Sequence, residues 1–209
     1  MQYDFSIIAL LKEGFRRTEG VKLIFFGAVF IYFVISLLTN QALGFIFPND
    51  ESVANFYVAS VLEAIFTIPI LVGINMLAVK RVREEETLVP SIFDYYSFFI
   101  PLMFAYLAMT ALILTGFILF ILPAIYLIIS YVFTYTLMVD KNMDLWEAME
   151  LSRKAVTAQW FKFFGLGLMS CLILILGLIP LGIGLVWAIP TVYLSYALLY
   201  HRLFDEEEN

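Results

Sequence analysis

Long apolar stretches alternate with short charged segments along this chain, and that alternation predicts helices that cross a membrane. The first two stretches run from about Leu23 to Leu38 and from about Val53 to Val79. Two longer stretches, Phe98 to Val139 and Phe163 to Tyr200, contain no charged side chain. Each of these is roughly twice as long as one helix that crosses a hydrocarbon core of about 30 Å, so we expect each to hold two crossings.

Glycines and prolines mark the places where the two longer stretches turn back. Gly116 and Pro123 bracket the turn in the first of them, and Gly177 and Gly184 bracket the turn in the second. Such residues interrupt a helix because glycine adds backbone freedom and proline removes an amide donor. The sequence therefore predicts an all-α integral membrane protein, a single domain over residues 1–209 with six transmembrane helices.

The distribution of charge predicts the orientation of these helices. The 12 Lys and Arg residues fall into four short segments, and two crossings separate each segment from the next. All of these cations would then lie on one face of the membrane, and an excess of Lys and Arg marks the cytoplasmic face. The opposite face would carry only Asp50 and Glu51 as full charges. We expect a multi-pass protein of the inner or plasma membrane with both termini in the cytoplasm.

An internal repeat is predicted beneath the six crossings. The second crossing of each pair contains a proline at a matching place, namely Pro69, Pro123 and Pro190, and an acidic or basic segment follows each crossing. These prolines are also the predicted helix breaks. Because two crossings restore the direction of the chain, the units would be three parallel repeats about an axis along the membrane normal. The units cover approximately residues 3–86, 87–140 and 141–209.

Short amphipathic segments are predicted to precede the crossings of the first and last repeats. In the segment from Asp144 to Trp160, apolar residues share one helical face, and Glu150 can pair with bases three and four positions later. Such helices lie flat on the inner leaflet. The cations expected to contact lipid headgroups are Arg16, Arg17, Arg153 and Lys154. The alternative is that these segments only anchor the topology and link helices.

Glu63 is the candidate intramembrane site. Counting the helical rise places it well inside the hydrocarbon region, where an ionised carboxylate is unfavourable. Ser60 and Thr67 lie one turn away, and Asn75 lies farther along the same helix. One hypothesis is a proton or substrate site. The other is a neutral carboxyl group that is hydrogen-bonded to a Tyr, a Ser or a backbone carbonyl of another helix.

Several apolar motifs in the C-terminal two thirds of the chain carry a family resemblance. They are Gly116 to Leu127, Val139 with Asp140, Leu145 to Ala148 with Ser152, Trp160 to Gly165, Ile189 to Leu194, and Arg202 to Phe204. The chain resembles a group of prokaryotic six-helix membrane proteins related to the membrane domain of some glycerophosphoryl diester phosphodiesterases. The catalytic barrel of those enzymes is absent from this sequence. The resemblance implies a membrane scaffold that handles lipid or assists other proteins.

Composition and motifs narrow the function further. Hydrophobic residues make up 63% of the chain and charged residues 14%, which excludes an ordinary water-soluble domain. The net charge of −6 argues against nucleic acid as a partner. Because no catalytic or metal-binding motif occurs, we predict no enzyme activity, no cofactor and no metal. We expect a non-enzymatic scaffold that binds membrane lipids or another membrane protein. The alternative is a small transporter or channel that uses Glu63.

Overall fold

The computed structural model describes residues 4–46 and 53–205, which contain nine α-helices, one 3-10 helix and no strand. The α-helices are α1 (Ile7–Arg16), α2 (Lys22–Ile46), α3 (Val53–Val82), α4 (Phe99–Leu119), α5 (Ile121–Ser130), α6 (Thr134–Asp140), α7 (Leu145–Thr157), α8 (Trp160–Leu178) and α9 (Leu185–Phe204). The 3-10 helix covers Val89–Phe98. The predicted outer charges Asp50 and Glu51 lie outside the described residues.

Five helical segments in the described part of the chain are long and apolar enough to cross a membrane. They are Lys22–Ile46, Tyr57–Val82, Val89–Leu119, Ile121–Asp140 and Trp160–Leu178. Helix α9, with 20 residues, falls outside this group because Tyr, Ser, Thr, His and Arg side chains lower its mean hydropathy. The all-helical, membrane-compatible class predicted from the sequence is therefore confirmed.

The two predicted turns lie where the glycines and prolines placed them. Helices α4 and α5 are separated only by Phe120, and residues 179–184 connect α8 to α9. Small residues allow the second pair of helices to meet closely, since a Cβ added to Gly184 would lie 2.8 Å from the Cα of Gly177. These sharp turns make α4 with α5, and α8 with α9, antiparallel hairpins.

The helix breaks do not fall at the three predicted prolines. Pro69 and Pro190 lie inside the unbroken helices α3 and α9, and Pro123 lies in the first turn of α5. A proline is tolerated in a first turn because the amide it lacks would have no partner within the helix. The crossing that contains Pro123 is interrupted instead at residues 131–133, between α5 and α6.

The side chain of Ser152 in α7 forms hydrogen bonds with backbone groups at the break between α5 and α6. Its hydroxyl donates to the carbonyl oxygen of Ser130 at 2.7 Å and accepts from the amide of Phe133 at 3.2 Å. Ser152 is completely buried. An interrupted helix leaves backbone groups without partners, and an unpaired group is costly when buried. The Ser152 side chain therefore fastens α7 to the interrupted helix.

Helices α3 and α9 form the centre of the bundle. They pack against each other, and α6 packs against α3. In an 18-residue apolar stretch of α3, 61% of the residues are buried inside the protein. The corresponding share is only 11% in α2, and 22% in each of the segments that contain α4 and α8. The outer faces of α2, α4 and α8 are therefore the large apolar surfaces that this fold exposes.

Each of the three short elements packs against a different inner helix. Helix α1 packs on α9, the 3-10 helix packs on α3, and α7 packs on α5 and α6. Small residues permit the close approach in the first two cases. A Cβ added to Gly14 would lie 2.9 Å from the carbonyl oxygen of Thr191, and one added to Gly73 would lie 2.6 Å from the Cα of Ile92.

The faces of α1 and α7 differ in part from the prediction. Leu10 and Leu11 of α1 are buried, whereas Ile8 and Phe15 are 73% and 54% exposed. Helix α7 buries Ala148, Met149, Ser152, Ala155 and Val156 against the bundle. Trp160, the last residue of the predicted amphipathic segment, begins α8 instead. Protein contacts, and not lipid contacts alone, therefore determine how these two helices lie.

Substituting Gly73 with Ala tests the contact between α3 and the 3-10 helix. The added methyl group would collide with the backbone of Ile92, so we expect Gly73→Ala to lower the free energy of unfolding by about 1–3 kcal/mol. Gly44→Ala is the matched control, because nothing lies within 4 Å of its added Cβ. Thermal unfolding in detergent measures both. Equal effects of the two substitutions would contradict this packing.

Candidate functional site

One arginine joins the ends of three inner helices. Arg83 follows α3, Asp140 ends α6 and Asp205 follows α9. The guanidinium group donates to both carboxylate oxygens of Asp140 at 2.7 Å, and to those of Asp205 at 2.8 and 2.9 Å. The planar, forked guanidinium matches a carboxylate in this two-bond geometry. We call the group of Arg83, Asp140, Asp205, Lys141 and Tyr200 the charged cluster.

Two further side chains complete the charged cluster. The hydroxyl of Tyr200 donates to Asp140 at 2.6 Å, and the Lys141 ammonium group lies 3.1 Å from Asp205. The side chains of Asp140 and Asp205 are only 7% and 15% exposed. Burying charge is unfavourable unless each charge is paired and hydrogen-bonded. Both carboxylates meet that condition.

The ionisation of the charged cluster follows from this pairing. The hydrogen bond to Asp140 raises the pKa of Arg83, although burial opposes the shift. Burial alone would raise the pKa of Asp205, but the hydrogen bonds and charges of Arg83 and Lys141 together lower it. Both groups are therefore held in their charged forms. Both oxygens of each carboxylate accept hydrogen bonds from Arg83.

An aromatic layer packs around Phe133, which lies at the start of α6. The Phe133 ring lies 5.9 Å from the rings of Phe163 and Tyr200, and 5.6 Å from the ring of Phe204. Phe133 itself is 3% exposed. Edge-to-face contacts of this kind stabilise aromatic packing beyond simple burial. Tyr200 links this aromatic layer to the charged cluster, because its ring contacts Phe133 and its hydroxyl donates to Asp140.

A cavity of about 130 Å³ lies between α3, α6 and α9, next to the charged cluster. Its polar lining residues are neutral, namely Asn75, Thr136, Tyr193, Tyr196 and Tyr200. The Asn75 amide nitrogen donates to the carbonyl oxygen of Leu71 at 3.0 Å. The cavity volume is well above the ~15 Å³ that one water molecule needs. The space can therefore hold small, uncharged, hydrogen-bonding molecules.

Glu63 lies apart from this cavity. The hydroxyl of Ser36 on α2 donates to the Glu63 carboxyl group, which is partly buried. A Ser of another helix is one of the partners expected under the structural hypothesis for Glu63, in which the carboxyl group is neutral and hydrogen-bonded. Glu63 is not among the residues that line the central cavity. The structure therefore links the carboxyl group to the packing of α2 against α3.

Thr67 and Asn75, two other residues of the predicted polar site, donate to backbone carbonyls of α3 and not to the Glu63 carboxyl group. Thr67 is buried, and its hydroxyl donates to the carbonyl oxygens of Glu63 and Ala64 at 3.0 and 3.3 Å. Ser60 lies half-buried one turn before Glu63, and Asn75 lines the central cavity. Twelve helical residues rise about 18 Å, so Asn75 and Glu63 are at separate depths of the bundle.

The predicted headgroup cations form two ion-pair groups of the same pattern. Glu13 pairs with Arg16 at 2.7 Å and Arg17 at 2.9 Å, and Glu150 pairs with Arg153 at 2.8 Å and Lys154 at 3.3 Å. The hydrogen bond from Arg17 lowers the pKa of Glu13, and that from Arg153 lowers the pKa of Glu150 to about 2. These acids partly neutralise the four cations.

Comparison with protein-family models, with curated proteins and with solved structures found no match to this chain. The resemblance to the phosphodiesterase-associated membrane family therefore stays a prediction.

The charged cluster was not predicted, although the sequence contains a sign of it. Asp140 directly follows the second apolar stretch of its predicted unit, and Arg83 and Asp205 lie within five residues of the ends of theirs. Parallel helices end on the same side of a bundle, so unlike charges at those ends can meet. The sequence does not specify which arginine and which acids meet.

The charged cluster predicts a change in stability at acidic pH. The pKa of Asp205 in the folded protein is lowered from an unfolded value of about 3.9. Its stabilisation is therefore complete above about pH 4 and is lost as the pH falls through the folded-state pKa. Wild type should be more stable than Asp205→Asn at pH 7, and the difference in thermal unfolding temperature should shrink below pH 4. A difference that stays constant down to pH 2 would contradict this account.

Proposed function

We propose that this protein is a non-enzymatic membrane scaffold with six crossings, and that it binds lipid or another membrane protein. Both termini would lie in the cytoplasm, at the inner or plasma membrane. The observation that carries the proposal is the charged cluster, in which converging charges are used to join helices. No described carboxylate in it is left to act on a substrate. Meanwhile the outer helices α2, α4 and α8 present large apolar faces.

Helix α9 would be the sixth crossing. Its 20 residues span about 30 Å, which equals the thickness of the hydrocarbon core. Its polar side chains Thr191 and Ser195 are buried, and each hydroxyl donates to a carbonyl of the same helix. A helix at the centre of a bundle does not need the uniformly apolar surface of a lipid-facing one. The central position of α9 therefore accounts for a mean hydropathy lower than that of the lipid-facing helices.

The packing order supports three parallel repeats. Each repeat would consist of a short element, an outer helix and an inner helix: α1 with α2 and α3, the 3-10 helix with α4 to α6, and α7 with α8 and α9. Each short element packs on the inner helix of the preceding repeat, and α1 closes the ring on α9. The outer helices α2, α4 and α8 also contact the inner helix of the preceding repeat. This cyclic order is expected for repeats around an axis along the membrane normal.

The alternative, a small transporter that uses Glu63, has less support. Its carboxyl group is held by Ser36 on the neighbouring helix and lies apart from the central cavity. Proton-coupled transporters place carboxyl groups in chains or beside a substrate cavity. A structural carboxyl group needs only a hydrogen-bond partner such as Ser36.

Proton flux in liposomes distinguishes the two functions. For a scaffold, we expect the reconstituted wild type to add no proton flux above that of empty liposomes under an imposed potential, and Glu63→Gln to behave in the same way. Glutamine still accepts the hydrogen bond from Ser36, so the variant should fold. Native mass spectrometry of both proteins, extracted gently from their own membrane, should show a retained lipid or a stoichiometric partner.

Glu147→Gln, which changes an exposed acid on α7, is the matched control. A proton flux that wild type and Glu147→Gln support and Glu63→Gln abolishes would establish the transporter and overturn the scaffold.

A further inference from the structure

A long apolar groove runs between α1, α8 and α9. Its volume is about 580 Å³, within the range of roughly 300–1,000 Å³ that is usual for small-molecule sites. We call it the α1 groove. Its lining residues are Ile8, Leu11, Lys12, Phe15, Met169, Ile173, Leu176, Gly177, Gly184, Trp187, Ala188 and Thr191. Ile8 and Phe15 on one side and Leu176 on the other are each more than half exposed.

The polar groups of the α1 groove are concentrated at Lys12. The Thr191 hydroxyl is already used, because it donates to the carbonyl oxygen of Trp187 at 2.6 Å. Lys12 is exposed and forms no ion pair within residues 4–46 and 53–205. One cation therefore stands at the rim of an otherwise apolar groove.

A second depression continues the α1 groove on the charged side of α1. It shares Lys12 and Phe15 with the groove and also contains Arg16 and Lys22. The Lys22 ammonium group lies 5.5 Å from the centre of the Trp187 ring, which is itself part of the groove. The depression also contains two acids: the carboxylate of Glu13 is occupied by arginines of α1, and Glu19 is exposed. Lys12 and Lys22 are therefore the cations that remain available to an anionic ligand.

We propose that the α1 groove binds an anionic phospholipid from the surrounding membrane. One acyl chain would lie along the apolar lining, and the phosphate would be held by Lys12 and Lys22. This arrangement matches both features of the surface, a charge-free groove and a positively charged rim. The inference rests on the proposed lipid-binding function and names its ligand class and its site.

The lining of the groove favours a lipid chain over a partner helix. A partner helix that presents polar side chains would find along the groove only one cation, Lys12, and a Thr191 hydroxyl that is already in use. A thin, flexible acyl chain can instead follow the groove between α1 and α8. Electrostatic attraction then selects anionic over zwitterionic headgroups, because each cation close to a membrane surface attracts anionic lipid.

Trp187 provides a direct reporter of the bound lipid. The chain contains three Trp residues, and replacing Trp146 and Trp160 with Phe leaves Trp187 as the single fluorophore. This full-length variant is reconstituted into phosphatidylcholine vesicles with increasing fractions of brominated phosphatidylglycerol or brominated phosphatidylcholine. Bromine quenches tryptophan only at short range. We expect half-maximal quenching at a several-fold lower fraction of the brominated phosphatidylglycerol.

Lys12→Gln tests the headgroup contact. Removing one cation near the surface should weaken the preference for phosphatidylglycerol by about five-fold. Lys80→Gln is the matched control, since Lys80 is a lysine of the α3 end that does not line the groove. It should leave the quenching curve unchanged. Circular dichroism of both variants verifies that their helix content is preserved.

Three outcomes would overturn the inference. Equal quenching by the two brominated lipids would mean that no anionic lipid is selected. Equal shifts by Lys12→Gln and Lys80→Gln would remove the assigned headgroup contact. No quenching by either lipid, together with a dimer in native mass spectrometry, would mean that a second copy covers the groove. None of these outcomes affects the proton-flux experiment, so failure of the lipid site and failure of the scaffold are distinguishable.

Discussion

The guanidinium group of Arg83 is the interaction on which the arrangement of the inner helices depends. It comes from the end of α3 and forms two pairs of hydrogen bonds, one with the end of α6 and one with the end of α9. In a bundle with apolar helices, dispersion and hydrophobic packing do not by themselves specify which helix ends meet. A buried cation with two carboxylates does, because an alternative arrangement would leave a charge unpaired.

The charged cluster and the short elements divide the task of holding the bundle. The cluster joins the inner helices at one end, while α1, the 3-10 helix and α7 each cover an inner helix along its side. Ser152 of α7 connects the short elements to the charged cluster, because its hydroxyl forms hydrogen bonds with backbone groups at the break that directly precedes α6. The polar groups are thus used inside the molecule, whereas the outer helices expose apolar faces.

The features that the sequence predicted are local ones. The apolar stretches, the turns around Gly116 and Gly177, and the pairing of Glu150 with the two bases that follow it all depend on neighbouring residues. The features that it missed depend on distant contacts. Nothing near Glu63 in the sequence identifies Ser36 as its partner. The break before α6 also depends on a distant residue, because the serine that compensates it belongs to another helix.

A double-mutant cycle of Arg83→Gln and Asp140→Asn tests the central claim most directly. Unfolding free energies would be measured in detergent for wild type, both single variants and the double variant. If the pair joins α3 to α6, the two effects should be non-additive, with a coupling energy of about 1–3 kcal/mol. Additivity within about 0.5 kcal/mol would mean that the two groups act independently, and would contradict the role of Arg83 in joining the inner helices.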